Sequence, residues 1–297
     1  MKKIVLLLAM AFIGHFTFAK DSDRVEKKKK PATVIITAGQ SNTDGRVMNE
    51  ELPDYIRRDK YKYCQWSFGS AGKSMDGKFE TFWPRIKHAK RPGRWAYDAV
   101  TYYKLEQLLQ EEFYVIKWSL GGTAIDPAGE STSGKYWSAD PEWLSRNHST
   151  ATGGKSLLLS FTESIDACID STLCKLDNGY EIKAFLWHQG ESDYAQGNNY
   201  YHNLKEVVTY VRRHLYKKTG KRKYKKLPFI CGTVAHANKR FNKDVEAAFF
   251  RLAKEDKNFF VVDMKDAKLQ RDRLHFTASS AEYLGLQMYE ILEDIIR

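Results

Sequence analysis

Five apolar runs, residues 33–38, 113–118, 182–187, 227–233 and 259–262, alternate along this 297-residue chain with stretches of helical periodicity. The runs are continuous rather than alternating polar and apolar, as strands buried on both faces require. Helical spacing occupies residues 95–110, 155–171, 200–216, 243–255 and 278–296. In the second of these, Leu158, Phe161, Ile165 and Cys168 fall on one face of a helix. Strand followed by helix, repeated, predicts an α/β fold: a mostly parallel sheet covered by helices on both sides. A hydrophobic content of 42% is enough for one catalytic-size domain, placed at residues 32–297.

What precedes that domain reads as an address. Lys2 and Lys3 stand ahead of an apolar stretch from Ile4 to Gly14, and Thr17-Phe18-Ala19 forms a small-x-small cleavage site. The stretch is too short to span a bilayer. Residues 1–19 are therefore expected to be a signal peptide and residues 20–31 a charged, flexible leader. The mature protein is expected to be periplasmic or secreted, with no stable membrane insertion.

Removing residues 1–19 deletes two lysines and no acid, taking the formal charge from +11 to +9. The excess is concentrated at Lys27-Lys28-Lys29-Lys30 and between Lys217 and Lys226. Such runs are solvated surface or contacts to an anionic polymer. No nucleic-acid signature accompanies them, so no specific nucleic acid is expected as a partner. The four cysteines form no C-x-x-C, and neither a metal site nor a cofactor is expected. Cys168 and Cys174 are the one close pair, and an unbroken helix would hold them roughly 9 Å apart, too far for a disulfide.

Four polar clusters sit beside these elements. Gly39-Gln40-Ser41-Asn42 follows the first run, Ser119-Leu120-Gly121-Gly122-Thr123 the second, and His188-Gln189-Gly190-Glu191-Ser192-Asp193 the third. Asp272-Arg273-Leu274-His275-Phe276 precedes the last helix. In a parallel sheet all strand ends of one sense lie at one edge, where working residues collect.

Serine esters are made and broken by a hydroxyl activated by histidine, which a carboxylate holds in one tautomer. The oxyanion needs preorganised donors. The clusters supply Ser41 as nucleophile, His275 as base and Asp272 as its orienter. Donors are the N–H groups of Ser41 and of Gly121 or Gly122, with the Gln189 amide. Each part alone has a plain alternative: Ser41 as a turn residue, Asp272 and His275 as a loop ion pair, and the His188–Glu191 stretch as a surface loop.

Taken together, Ala38-Gly39-Gln40-Ser41-Asn42, Gly121-Gly122-Thr123, Trp187-His188-Gln189-Gly190-Glu191-Ser192-Asp193 and Asp272-x-x-His275-Phe276 resemble the signature blocks of the SGNH-type carbohydrate esterases. Most similar is the group of sialate O-acetylesterase and the carbohydrate esterase family 6 acetylxylan esterases. The resemblance implies a flavodoxin-like three-layer α/β/α hydrolase that needs no metal and removes acetyl groups from sugar hydroxyls. It implies Ser41 as nucleophile, Asp272 and His275 as the rest of the triad, and Gln189 in the oxyanion role. Glu191 lies beside the oxyanion block and could also reach the histidine, so the orienter is Asp272, Glu191 or both. Asp272 is favoured because it shares one loop with His275.

The expected substrate is an O-acetylated carbohydrate: sialic acid, xylan or a related glycan. The alternatives are a lipid or aryl esterase on the same fold and a non-catalytic carbohydrate-binding protein. Tyr136, Trp137 and Trp143 are candidate stacking platforms for sugar rings, whereas Trp95 reads as core. The connection from about residue 125 to 154 is long enough to cover a site. Arg46 could meet a substrate carboxylate or pair with a nearby acid.

Overall fold

Thr33, Val34, Ile35, Ile36 and Thr37 are β-branched, which restricts χ1 and favours extended backbone. They form the core of β1 (Ala32–Gly39), the first strand of a computed structural model that describes residues 30–70, 75–84 and 93–297. The expected signal peptide and nearly all of the leader lie outside the described residues. A single-turn helix, α1 (Ser41–Asp44), follows β1 directly. Next come β2 (Val47–Met48), α2 (Asp54–Asp59), β3 (Cys64–Gly69), β4 (Glu80–Thr81), β5 (Arg94–Trp95), α3 (Asp98–Leu109) and β6 (Phe113–Ser119). The second half contains α4 (Pro141–Ser145), α5 (Leu157–Ser171), β7 (Tyr180–His188), α6 (Gly197–Thr219), β8 (Phe229–Gly232), α7 (Lys243–Glu255), β9 (Phe259–Val262) and α8 (Ala278–Ile296). Residues 31–297 make one compact unit.

Among the described residues, the main sheet has the order β4-β3-β6-β1-β7-β8-β9. Every neighbouring pair is parallel except β3 with the short edge strand β4. Alternation along β1 divides the interior in two. Val34, Ile36 and Ala38 point to a core closed by α5, α6 and α7, while Ile35 points to one closed by α3 and α8. A three-layer α/β/α architecture follows directly.

All five expected strands and all five expected helices are present. Several boundaries differ. α3 begins at Asp98 rather than at 95 because Trp95 pairs with Val47 in the β2–β5 ribbon. β8 begins at Phe229, after Pro228, which has no N–H to give a ladder. α6 extends three residues beyond its expected span at each end. β3 was not foreseen: its sequence, Cys-Gln-Trp-Ser-Phe-Gly, mixes polar and apolar residues and reads as no continuous run. All four cysteines are free; α5 ends at Ser171, between Cys168 and Cys174, and no bond forms between them.

Candidate active site

Register brings the clusters together. Gly39, the last residue of β1, lies opposite Ser119 of β6 on one side and His188 of β7 on the other. Three chains therefore leave the sheet at one level, carrying Gln40-Ser41, Leu120-Gly121-Gly122 and Gln189-Gly190-Glu191. The junction admits no side chain at Gly39, where φ is 151° and a Cβ would lie 2.2 Å from the His188 carbonyl oxygen. Gln40 N–H donates to that carbonyl at 3.1 Å. Ser41 then opens α1.

Ser41 lines a cavity of about 300 Å³ together with Gly121, Gly122, Glu191 and His275. A Cβ on Gly121 would come 2.3 Å from Arg46 Nη2, so a side chain there would displace that guanidinium, while it would stand 3.4 Å from Ser41 Cβ. Within the described residues the N–H groups of Ser41 and Gly121 donate to no protein acceptor. They are free to serve an oxyanion.

His275 is held by Asp272. Its Nδ1 lies 2.6 Å from Asp272 Oδ2, and Asp272 Oδ1 accepts the N–H groups of Leu274 at 2.9 Å and His275 at 3.1 Å. Partial burial pushes the Asp272 carboxyl up, but these two N–H groups and the imidazole outweigh it, leaving the group below its ordinary range. The turn requires Arg273 at φ 54°, a left-handed conformation unusual for a residue with a side chain. Asp272 itself stands behind the histidine and does not line the cavity.

Glu191 is not the partner of His275 Nδ1. Its Oε1 accepts from Asn42 Nδ2 at 2.8 Å and lies 3.3 Å from His188 Nε2. Burial pushes this carboxyl up. The charge and hydrogen bonding of His188, its own backbone N–H and Asn42 pull it down further, to a net value below the ordinary range.

The oxyanion role expected of the Gln189 amide is corrected. Gln189 is fully buried and points away from the cavity. Its Nε2 donates to Thr123 O at 3.1 Å and Asp193 Oδ2 at 2.6 Å, and its Oε1 accepts from Tyr200 at 3.0 Å. Both amide hydrogens are thus committed. Gln189 and Asp193 instead brace the loop after Gly122, because Asp193 also accepts the N–H groups of Ile125 and Asp126.

Aromatic expectations divide in the same way. Trp137 is no platform: it is buried, edge-on to Trp118 and Trp187, with Nε1 donating to Thr123 Oγ1. Tyr136 and Trp143 meet edge-on at 6.0 Å and do not line the cavity. Trp95 is core, as expected. The long connection reaches the cavity through Thr132.

Arg46 pairs with a nearby acid and also reaches the cavity. Its Nη1 donates to Asp44 Oδ2 at 2.6 Å, and the side chain lines the cavity. Arg240 lines it too, held by Glu130 at 2.9 Å, and sequence reasoning passed it over. The available signal was its place in the loop that follows β8, another strand of the same sense.

The sequence pattern of the carbohydrate esterase, sialic acid-specific acetylesterase family matches residues 149–293. A probable carbohydrate esterase of Arabidopsis thaliana is 32% identical over 113 residues, a match spanning 37% of this chain and 40% of that protein. The solved structure of NanS aligns over 91% of this chain and 99% of its own, with a TM-score of 0.62 at 13% identity. A carbohydrate acetylesterase from Xanthomonas citri aligns over 88% of this chain and 56% of its own, with a TM-score of 0.58 at 13% identity. Residues 149–293, just under half of the chain, thus match the carbohydrate esterase, sialic acid-specific acetylesterase family, and the chain shares the fold of NanS.

Proposed function

We propose that the protein is a serine esterase that removes O-acetyl groups from carbohydrate through an acetyl-Ser41 intermediate. One observation carries the reading: the Asp272–His275 pair, 2.6 Å apart, presents its imidazole to the same cavity as Ser41. Nδ1 carries the proton donated to Asp272, leaving Nε2 with a lone pair. His275 Nε2 takes the Ser41 proton as Oγ attacks the acetyl carbonyl, and the oxyanion forms against the N–H groups of Ser41 and Gly121. Collapse breaks the bond to the sugar oxygen, which receives the proton from His275. The same histidine then removes a proton from water, and hydroxide attack releases acetate and restores Ser41.

Two guanidinium groups, Arg46 and Arg240, favour an acetylated sugar that carries a carboxylate, such as a sialic acid, over neutral xylan. Export through residues 1–19 belongs to the same reading and would bring the mature chain to polymeric or shed glycan.

The test is acetate release by purified protein and by Ser41→Ala, on an O-acetylated sialic acid and on acetylated xylan. Release by the wild type alone, faster on the sialic acid, is the expected outcome. No release by the wild type from either substrate or from an aryl acetate would sink the reading.

A further inference from the structure

Asn42, the residue after Ser41, joins the nucleophile turn to the loop that carries His275. Its Oδ1 accepts the N–H of Phe276 at 3.1 Å. Its Nδ2 donates to Glu191 Oε1 at 2.8 Å and lies 3.4 Å from the Leu274 carbonyl oxygen, which also accepts from Asn238 at 3.2 Å. One side chain thus contacts the backbone on both sides of His275. All of these bonds depend on which way the amide faces.

Glu191, the nearest acceptor of Nδ2, sets that orientation together with the Phe276 N–H and the Leu274 carbonyl, and His188 Nε2 lies 3.4 Å from the same nitrogen. A carboxylate only accepts, so it draws the NH2 end of Asn42 and leaves the oxygen for Phe276. Glu191 is in turn held by His188. The His188 Nδ1 faces the Gly232 carbonyl oxygen at 3.0 Å and therefore carries a proton, while Nε2 faces Glu191. Glu191, His188 and Asn42 are all buried, so none of these partners is easily replaced by water.

We infer that Asn42 and Glu191 are positioning residues that set His275 against Ser41: Glu191 fixes the Asn42 amide, and Asn42 clamps the chain on either side of the base. The inference rests on the proposed roles of Ser41 and His275. It gives Glu191 a task distinct from that of Asp272, which binds the imidazole directly.

The experiment combines kinetics on an O-acetylated sugar with amide hydrogen exchange at Phe276, for Asn42→Ala, Asn42→Asp, Glu191→Ala, Glu191→Gln and the double alanine variant. Asn42→Ala is expected to lower kcat about 100-fold, as for a misplaced reacting group, with KM little changed. Exchange at Phe276 should quicken about fivefold or more as its bond is lost. Glu191→Ala should do the same. Glu191→Gln keeps an oxygen acceptor for Asn42 and should lose less. Asn42→Asp, which sets two carboxylates together, should lose as much as the alanine. The double variant should be no worse than Asn42→Ala alone, because both changes cut one path.

Independent losses that add in the double variant overturn the inference. So does a change in kcat without one in exchange, or the reverse. If Glu191→Ala fails to fold, the two Asn42 variants and Glu191→Gln decide, since they leave the His188 pair a partner. If the wild type releases no acetate, it is the proposed function that falls, and unchanged exchange at Phe276 in Asn42→Ala would remove the clamp as well.

Discussion

At position 272 one carboxylate holds the imidazole and also receives two backbone N–H groups of its own turn. Asp272→Asn keeps the shape of the side chain but lets the wrong imidazole tautomer form. The expected loss in kcat is on the order of 10³–10⁴, far above that of Glu191→Gln. The reverse ranking in steady-state kinetics would overturn the assignment of Asp272 as orienter. Asp193 gives a prediction of opposite electrostatic sense. Burial pushes its carboxyl up to about 6, against the three N–H donors that it accepts. Its folded value thus lies above the ordinary carboxylate range, near ~4. The native chain holds that proton more tightly than the unfolded one, so this group's stabilisation is present on the acid side and is lost as pH rises through about 6. The stability margin of the wild type over Asp193→Asn should shrink between about pH 4 and pH 7, by on the order of 2–3 kcal/mol. Urea unfolding at several pH values reads this directly; a flat margin counts against it.

Elements are positioned by close approaches as much as by their apolar faces. α8 crosses α3 where Gly285 lies against Tyr97 and Val100; a Cβ there would sit 2.3 Å from the Tyr97 carbonyl oxygen. Thr101 Oγ1 donates to the Gly285 carbonyl oxygen at 2.9 Å and fastens the same crossing. Gly285→Ala must push the helices apart, with a cost of about 1–3 kcal/mol typical of overpacking. Thermal unfolding should show a lower midpoint, while kcat per folded molecule stays near that of the wild type. A midpoint unchanged within error would mean that the crossing relaxes freely.

Across the whole molecule, the α3-side core contains an ion pair, Lys117 Nζ with Asp98 Oδ2 at 2.6 Å, both almost fully buried. Lys117 points from β6 toward α3, beside the Thr37–Tyr102 hydrogen bond. Lys117→Met would strand the Asp98 charge and is expected to cost about 3–5 kcal/mol, whereas Lys117→Met with Asp98→Leu should recover most of it. Denaturant unfolding of the two variants distinguishes a buried pair from an exposed one, for which the single change would cost little.

Strand runs such as residues 33–38 and the 3.6-residue spacing of 155–171 made the α/β class legible, because local periodicity reports local burial. Once the strands were parallel, the clusters after residues 38, 118 and 187 had to share an edge. The turn pairing Asp272 with His275 was legible for the same reason: the two residues lie three apart on one loop. What the chain alone could not supply was which strands are neighbours and which way each polar side chain turns. Only the tertiary structure placed β1 between β6 and β7, so that Gly39, Ser119 and His188 align. It also turned Gln189 inward to Asp193, buried Trp137, and brought Arg240 to the cavity. Those outcomes depend on partners 4 to more than 100 residues away, and a hydrogen-bonding side chain takes whichever direction satisfies it in the assembled core.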